Sequence, residues 1–224
     1  MSMEIADNIL KYYLRNVYFI TGTAYAGKST MVRMLAERYN MVQCGENYHM
    51  AVSDRVAEPA IQPNLCYMRT MSGWEEFVKR PPEEYARWIR GGSEEVAGFE
   101  VAQLIALGQD RRVIVDTNIP LEVLHRISDE RHVAVMLSPQ SMSVERFFDR
   151  SDPEKQFLLR VIEGCEHPDE VMANFREGIR LVNSPEVYCE YANSGFFTLV
   201  RHEGDGDTRE QTLRKLAEHF ALTE

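Results

Sequence analysis

Short apolar runs alternate with longer segments of helical periodicity along this chain. Five of these runs are too short for helices and are bounded by Gly, Asn, Thr or charged residues, which is typical of strands. They cover 16–20, 41–44, 113–116, 132–137 and 196–200. Most of them are apolar without alternation, which predicts a parallel sheet that is buried on both faces.

The segments between these runs have the period of amphipathic helices. The stretch from Lys28 to Tyr39 is the clearest, with apolar residues at i, i+3, i+4 and i+7. The other predicted helices cover 3–15, 94–107, 140–164, 168–182 and a final stretch from Thr208. Gln211 stands three residues after Thr208, which is the spacing of a capping box.

Strands that alternate with helices indicate a single α/β domain over residues 1–224, with a five-stranded parallel sheet between two helical layers. The segment 46–92 is the least regular, because four prolines restrict helices there to short pieces. Its Trp74, Tyr85 and Trp88 either wall a pocket or pack between helices. Ligands of parallel sheets bind outside the carboxyl ends of the strands, so functional residues are expected at that edge.

The composition narrows the range of functions. The 224 residues include 25 Lys and Arg against 35 Asp and Glu, a net charge of −10 that argues against binding to nucleic acids or anionic membranes. No apolar run approaches the ~20 residues that span a bilayer, and the N-terminus lacks the pattern of a secretory signal. The four cysteines form no C-x-x-C pair, which favours reduced thiols and a cytoplasmic location. The oligomeric state stays open, a homodimer included.

One sharp motif lies between the first strand and the first long helix. The run Gly22-Thr23-Ala24-Tyr25-Ala26-Gly27-Lys28-Ser29 matches the pattern G-x-x-x-x-G-K-[ST] in full. Backbone N–H groups of such a loop cradle phosphate oxygens, and the helix N-terminus adds partial positive charge. Lys28 would reach the β and γ phosphates, and Ser29 would offer its hydroxyl to Mg²⁺. The sequence therefore predicts an ATP site over Gly22 to Thr30, with Mg²⁺ as cofactor.

The order of features along the chain resembles the small P-loop kinases, a group that includes nucleoside and nucleotide kinases, shikimate kinase and chloramphenicol phosphotransferase. That order is the phosphate loop, an irregular segment, the strand ending at Asp116, an Arg-bearing segment, a fifth strand and a final helix. The N-K-x-D motif of GTPases and the L-S-G-G-Q signature of ABC ATPases are absent from the sequence. The resemblance implies a nucleotide-kinase-like P-loop NTPase with a phosphate-loop unit at 16–45, a helical acceptor-binding insertion at 46–92 and a helical lid at 140–165.

Three further residues are candidates for catalysis. Asp116 ends a predicted strand, where it would bind Mg²⁺ through water or accept the proton of an acceptor hydroxyl; alternatively, it caps the following turn. Arg146 and Arg150 are four residues apart and would share one face of a helix. By the resemblance, arginines of a lid hold the transferred phosphoryl group or stack on adenine. The nearby Glu145 and Asp149 leave open a solvated, ion-paired helix instead.

The acceptor side carries the weakest motifs. Glu46, Asp54 and Arg55 follow the second strand and are candidates for binding an acceptor, with Asp54 either as a base or as part of a surface turn. Nucleotide monophosphate kinases follow the third-strand Asp with Gly, an aromatic residue, Pro and Arg, whereas 117–120 here reads Thr-Asn-Ile-Pro. The predicted function is transfer of the γ-phosphoryl group of ATP to a small hydroxyl compound such as a nucleoside or nucleotide. The alternatives are an ATP-binding regulatory protein with little turnover and an NTP hydrolase.

Overall fold

The computed structural model describes residues 4–149 and 153–223. Within these ranges the strands are β1 (Val17–Gly22), β2 (Val42–Cys44), β3 (Val113–Asp116), β4 (Val133–Leu137) and β5 (Phe197–Val200). All of their pairings are parallel, and together they form one sheet in the order β2-β3-β1-β4-β5. The predicted parallel sheet is therefore confirmed, with strand ends that differ by one or two residues.

The helices of the described ranges connect these strands. They are α1 (Asp7–Tyr13), α2 (Lys28–Tyr39), α3 (Met50–Val56), α4 (Pro63–Thr70), α5 (Trp74–Val78), α6 (Pro82–Leu107), α7 (Leu121–Ile127), α8 (Gln140–Glu145), α9 (Pro153–Glu163), α10 (Pro168–Val182), α11 (Pro185–Ala192) and α12 (Arg209–His219). The bounds predicted for α2 and α10 are confirmed. The short helices α7 and α11 were not predicted, because neither is long enough to show a clear period.

Neighbouring residues of the central strand face opposite sides of the sheet. Phe19 lies in a buried cluster with Leu104 of α6, whereas Ile20 lies in a second cluster with Leu35 of α2 and Leu216 of α12. Helices thus cover both faces, an arrangement compatible with a three-layer α/β/α fold. Coverage on both faces explains why the strands read as continuous apolar runs.

Helix α6 corrects the interpretation of 46–92 as a segment of short helices only. It begins at Pro82 rather than at 94 and runs for 26 residues. A proline in the first turn of a helix lacks only an N–H group that would have no intrahelical acceptor, so Pro82 starts α6 instead of ending a helix. Gly91 lies within α6 against α4, where a Cβ would overlap the side-chain amide of Asn64. The predicted boundary of the insertion at 92 therefore falls inside a continuous helix.

The start of the last helix also differs from its prediction. Helix α12 begins at Arg209, and Thr208 precedes it with φ −96° and ψ 8°. The Thr208 side chain forms no capping hydrogen bond there. An N-cap side chain reaches the N–H groups of the first turn from an extended backbone, which Thr208 does not adopt. The predicted capping box is wrong.

A third apolar cluster joins the insertion to the predicted lid. Phe77 of α5 and Phe175 of α10 lie in it together with Val144 of α8 and Leu158 of α9. The three aromatic residues singled out in the sequence pack around this cluster, with ring-centroid distances of 5.0 Å for Trp74–Phe157, 5.4 Å for Tyr85–Phe175 and 5.4 Å for Trp88–Phe77. Of the two roles considered for these rings, the structure favours packing between helices.

Candidate functional site

The phosphate-loop sequence lies at a point where the chain diverges. From β1 the chain passes toward β2 on one side of the sheet, and from the adjacent β4 it passes toward β5 on the other. Such a divergence opens a crevice at the carboxyl ends of the strands. Gly22 ends β1 with φ +125°, and a Cβ there would overlap the carbonyl oxygen of Met136. Gly27 precedes α2 with φ +93°. Glycine is therefore required at both positions.

Side chains hold three consecutive carbonyl oxygens of the loop. The donors are Lys28 Nζ to Thr23 O (3.1 Å), Ser138 Oγ and Ser143 Oγ to Ala24 O (2.6 and 2.9 Å), and Arg201 Nη1 to Tyr25 O (3.2 Å). By contrast, the backbone N–H groups of residues 26–29 donate no hydrogen bond within the described part of the chain. Oriented donors without acceptors at the start of a helix form an anion-binding cradle.

Tyr25 is an unusual residue for this loop. Its φ is +68°, a left-handed conformation that an aromatic residue rarely adopts. The guanidinium carbon of Arg201 lies 5.8 Å from the centroid of the Tyr25 ring, so the Arg201 side chain contacts both the ring and the carbonyl oxygen of this residue. Arg201 follows β5 directly, and its backbone N–H continues the pairing with Leu137. Arg201, at the end of β5, therefore stabilises the loop through its contacts with Tyr25.

Asp116 ends β3 beside the loop and is 1% exposed. Its Oδ2 accepts a hydrogen bond from Ser29 Oγ at 2.6 Å, whereas its buried Oδ1 has no hydrogen-bond partner among the described residues. Burial raises the pKa of Asp116, while the Lys28 ammonium and the Ser29 hydroxyl act in the opposite direction. A buried carboxylate oxygen without a partner is costly unless it meets a cation or a proton.

These donors suit Mg²⁺ better than a metal held by protein alone. Magnesium binds through one or two carboxylates, waters and substrate phosphates. Ser29 and Asp116 supply a hydroxyl and a carboxylate next to the N–H groups of the loop, which fits that chemistry. Among the described residues there is no group of three or more His, Cys, Asp or Glu side chains arranged to hold a metal ion.

Two more carboxylates reach the residues that follow Asp116. Thr117 Oγ1 donates to Glu100 Oε2 at 2.7 Å, and Asn118 Nδ2 donates to Glu46 Oε1 at 2.9 Å. The carboxylate of Asp116 is thus joined by those of Glu100 and Glu46, which bind the two residues that follow it. Glu46 was singled out in the sequence, but Glu100 was not, because an acidic residue in an amphipathic helix usually lies on its solvent face. Glu100 is instead 1% exposed.

The pH dependence of unfolding should reveal Glu100. Burial raises the pKa of its carboxyl from 4.5 to about 7. Between these two pH values the folded state keeps a proton that the unfolded chain releases. The contribution of Glu100 to the stability of the folded state is therefore full below pH 4.5 and is lost as the pH rises through 7. The variant Glu100→Gln keeps an acceptor for Thr117 and should be more stable than wild type at pH 8 by roughly 2–3 kcal/mol, with little difference at pH 4.5.

Urea unfolding at the two pH values measures this difference. Glu94→Gln, at an exposed position of the same helix, is the matched control and should leave the wild-type pH profile unchanged. If Glu100→Gln and wild type keep the same difference in unfolding free energy at both pH values, Glu100 does not titrate in this range.

The other sequence-predicted residues lie apart from this group. Asp54 and Arg55 are exposed in α3. Within the described residues, no hydrogen bond or ion pair joins either of them to the loop or to Asp116. The carbonyl oxygen of Asp54 accepts from Arg69 Nη1 at 2.6 Å. A role for Asp54 and Arg55 in acceptor binding stays a prediction without support from these contacts.

Arg146, one of the two arginines of the predicted lid, does not lie within a helix. Helix α8 ends at Glu145, and Arg146 is exposed in the turn that follows it. Arg150 lies outside the described residues. The predicted continuous helix over 140–164 is wrong at this point, because α8 and α9 are separate helices. Helical spacing therefore does not argue for a joint role of the two arginines.

Neither a scan against protein-family models nor a search of curated proteins finds a match for this chain. None of the helices in the described ranges has the length and apolar character needed to cross a membrane.

Proposed function

We propose that this chain is an ATP-dependent phosphotransferase with a nucleotide-kinase-like P-loop fold. The observation that carries the proposal is the hydrogen bond of 2.6 Å between Ser29 Oγ and Asp116 Oδ2, beside a buried Asp116 Oδ1 that has no hydrogen-bond partner among the described residues. This pair adjoins a loop whose sequence suits a polyphosphate and whose N–H groups at 26–29 donate no hydrogen bond within the described residues. A phosphate-binding loop, a hydroxyl and a third-strand carboxylate are what Mg²⁺-ATP chemistry requires.

The roles of the residues follow from their present contacts. Lys28 Nζ binds the carbonyl oxygen of Thr23 and would exchange it for the β and γ phosphates, a stronger charge-assisted contact. Mg²⁺, when bound, would neutralise phosphate charge, with Ser29 and Asp116 holding it directly or through water. Catalysis of phosphoryl transfer is then mainly positioning and electrostatic stabilisation.

The acceptor side is acidic. Burial is the main cause that raises the pKa values of Glu100 and Asp116, and the negative charge of Glu46 raises both of them further. The three carboxylates therefore lie within electrostatic range of one another. Glu46 is exposed and would meet an acceptor first, where its carboxylate could accept the proton of a hydroxyl group. This charge disfavours anionic acceptors such as nucleotide monophosphates and favours neutral or cationic hydroxyl compounds.

An acceptor screen with purified protein tests the proposal. ATP consumption is measured with Mg²⁺ in the presence and absence of nucleosides, sugars, amino alcohols, phenicol and aminoglycoside drugs, nucleotides and shikimate-like acids. Consumption that depends on one neutral or cationic acceptor, together with its phosphorylated product, is the expected result. Binding of ATP without turnover with any compound would leave the protein without phosphotransferase activity and contradict the proposal.

A nucleotide-binding protein with little turnover is the second candidate. It is favoured by the absence of an Arg from 117–120, where nucleotide monophosphate kinases carry one that grips a phosphate. Asn118 of this run donates to the Glu46 carboxylate instead. The same assay separates the candidates: a hydrolase consumes ATP without acceptor, a binder consumes none, and a kinase needs the acceptor.

Arg146→Ala should lower kcat while the affinity for ATP changes little. An arginine on the predicted lid would contact the transferring phosphoryl group only as its charge develops, and such an arginine can contribute up to about 10³-fold. Steady-state kinetics with the acceptor from the screen gives kcat, and titration gives the affinity. Arg150→Ala belongs to the same experiment, since either arginine could stack on adenine and would then weaken ATP binding with kcat nearly intact.

Arg126→Ala is the control for this pair, because Arg126 binds Asp7 and Glu4 on the surface. It should leave both constants unchanged. Wild-type kcat and ATP affinity in both lid variants would show that the two arginines are solvated and have no part in transfer.

A further inference from the structure

Buried hydroxyl groups join the phosphate loop to the start of the predicted lid. Ser143 of α8 and Ser138, which follows β4, both donate to the carbonyl oxygen of Ala24. The backbone N–H of Ser138 also donates to Thr23 Oγ1 at 2.8 Å. Ser138 and Ser143 are each 1% exposed and Thr23 is 5% exposed, so water does not compete for these bonds. The loop and α8 therefore form one hydrogen-bonded unit.

The residue next to Ser143 extends this unit to the rest of the lid. Val144 is buried in the apolar cluster that contains Leu158 and Ile162 of α9 and Phe175 of α10. Consecutive residues of one short helix thus bind the loop carbonyl and enter the apolar cluster that α10 shares with α9. Packed interiors deform little, so a displacement of Ala24 should be transmitted to α9 rather than absorbed.

Phosphate binding is expected to displace this part of the loop. Lys28 Nζ now binds the carbonyl oxygen of Thr23, and phosphates would attract its ammonium away from it. The next carbonyl along the chain is that of Ala24, where the two serines attach. A change in the loop at Thr23 therefore acts directly on Ser143.

We propose that Ser143 is a positioning residue that couples occupancy of the phosphate loop to the placement of α9. This inference rests on the proposed function, because it assumes that the loop binds the phosphates of ATP. Ser138 holds the same carbonyl from the end of a sheet strand and supplies the fixed attachment. Ser143 supplies the movable one, since it belongs to a helix that packs on α10 and shares an apolar cluster with α9.

Hydrogen exchange and nucleotide titration with Ser143→Ala test the coupling. In wild type, Mg²⁺-ATP should slow exchange in peptides that cover 153–163. In Ser143→Ala this nucleotide-induced protection should be largely lost, while ATP affinity falls only about three- to tenfold, the effect expected of one hydrogen bond. Ser141→Ala is the matched control, because Ser141 lies in the same helix and its hydroxyl donates outward to Glu203.

The outcomes separate the inference from the proposed function. If wild type binds no ATP, the proposed function fails and the coupling fails with it. If wild type binds ATP and the protection of 153–163 is the same in Ser143→Ala as in Ser141→Ala, the coupling is wrong although the proposed function stands. Ser143→Cys is a second variant that controls for misfolding, because a thiol nearly keeps the volume of the side chain but donates only weakly. It should show the same loss of nucleotide-induced protection as Ser143→Ala, with an unchanged melting temperature.

Discussion

Lys28→Ala should lose roughly 10- to 100-fold in affinity for Mg²⁺-ATP. The substitution removes the ammonium that stands beside the loop and would form charge-assisted hydrogen bonds to the β and γ phosphates, each stronger than a neutral hydrogen bond. Turnover should fall further, because the same charge stabilises the transferring phosphoryl group. Isothermal titration of both proteins with Mg²⁺-ATP measures the affinity directly.

Lys215→Ala is the control for this prediction. Lys215 is an exposed lysine of α12, and its loss changes the net charge of the protein by the same amount without touching the loop. It should bind Mg²⁺-ATP as wild type does. Equal affinity in Lys28→Ala and wild type would contradict both the phosphate site and the proposed function.

Asp116→Asn should lower Mg²⁺-dependent turnover by about 10²-fold or more. The substitution replaces the carboxylate that would hold the cation with an amide of the same shape. In the absence of Mg²⁺, ATP should bind at least as tightly as in wild type, because a negative charge near the phosphates is gone. Kinetics over a range of Mg²⁺ concentrations, with titration in EDTA, separate the two effects.

The stability of Asp116→Asn distinguishes a functional carboxylate from a structural one. Burial raises the pKa of Asp116, so its charge is held in the folded state at a cost. The variant should therefore unfold at the same temperature as wild type or above it. Asp110→Asn, at an exposed position before β3, is the control for charge. A large loss of stability without loss of Mg²⁺ dependence would assign Asp116 to the fold alone.

The sequence predicts correctly those elements whose defining residues are close together in the chain. The period of 28–39 and the motif before it are carried by residues close in sequence, and α2 and the loop follow them. Pro82 shows the limit of this reasoning, because a proline ends one helix and begins another with equal ease. Tertiary contacts of α6, which packs against both α4 and α10, distinguish the two cases.

The residues that support the loop and the neighbouring Thr117 could not be predicted in this way. Glu100, Ser143 and Arg201 come from three distant parts of the chain, and none belongs to a motif. Each reaches the site because the order of the strands places its element there. Polar residues in amphipathic segments are interpreted as solvent-facing, so burial of a single carboxylate or hydroxyl leaves no signal in the sequence.

Helix α6 has a consequence for protein engineering. At 26 residues it is about 39 Å long, and it carries Tyr85 beside α10 at one end and Glu100 beneath Thr117 nearer the other. The predicted acceptor segment is therefore joined, through one continuous helix, to the residue that supports Thr117 at the proposed catalytic edge. Exchanging 46–92 alone would interrupt this helix at Gly92, eight residues before the buried Glu100. A chimaera intended to transfer the predicted acceptor specificity should therefore include the whole segment from β2 to Leu107, the end of α6.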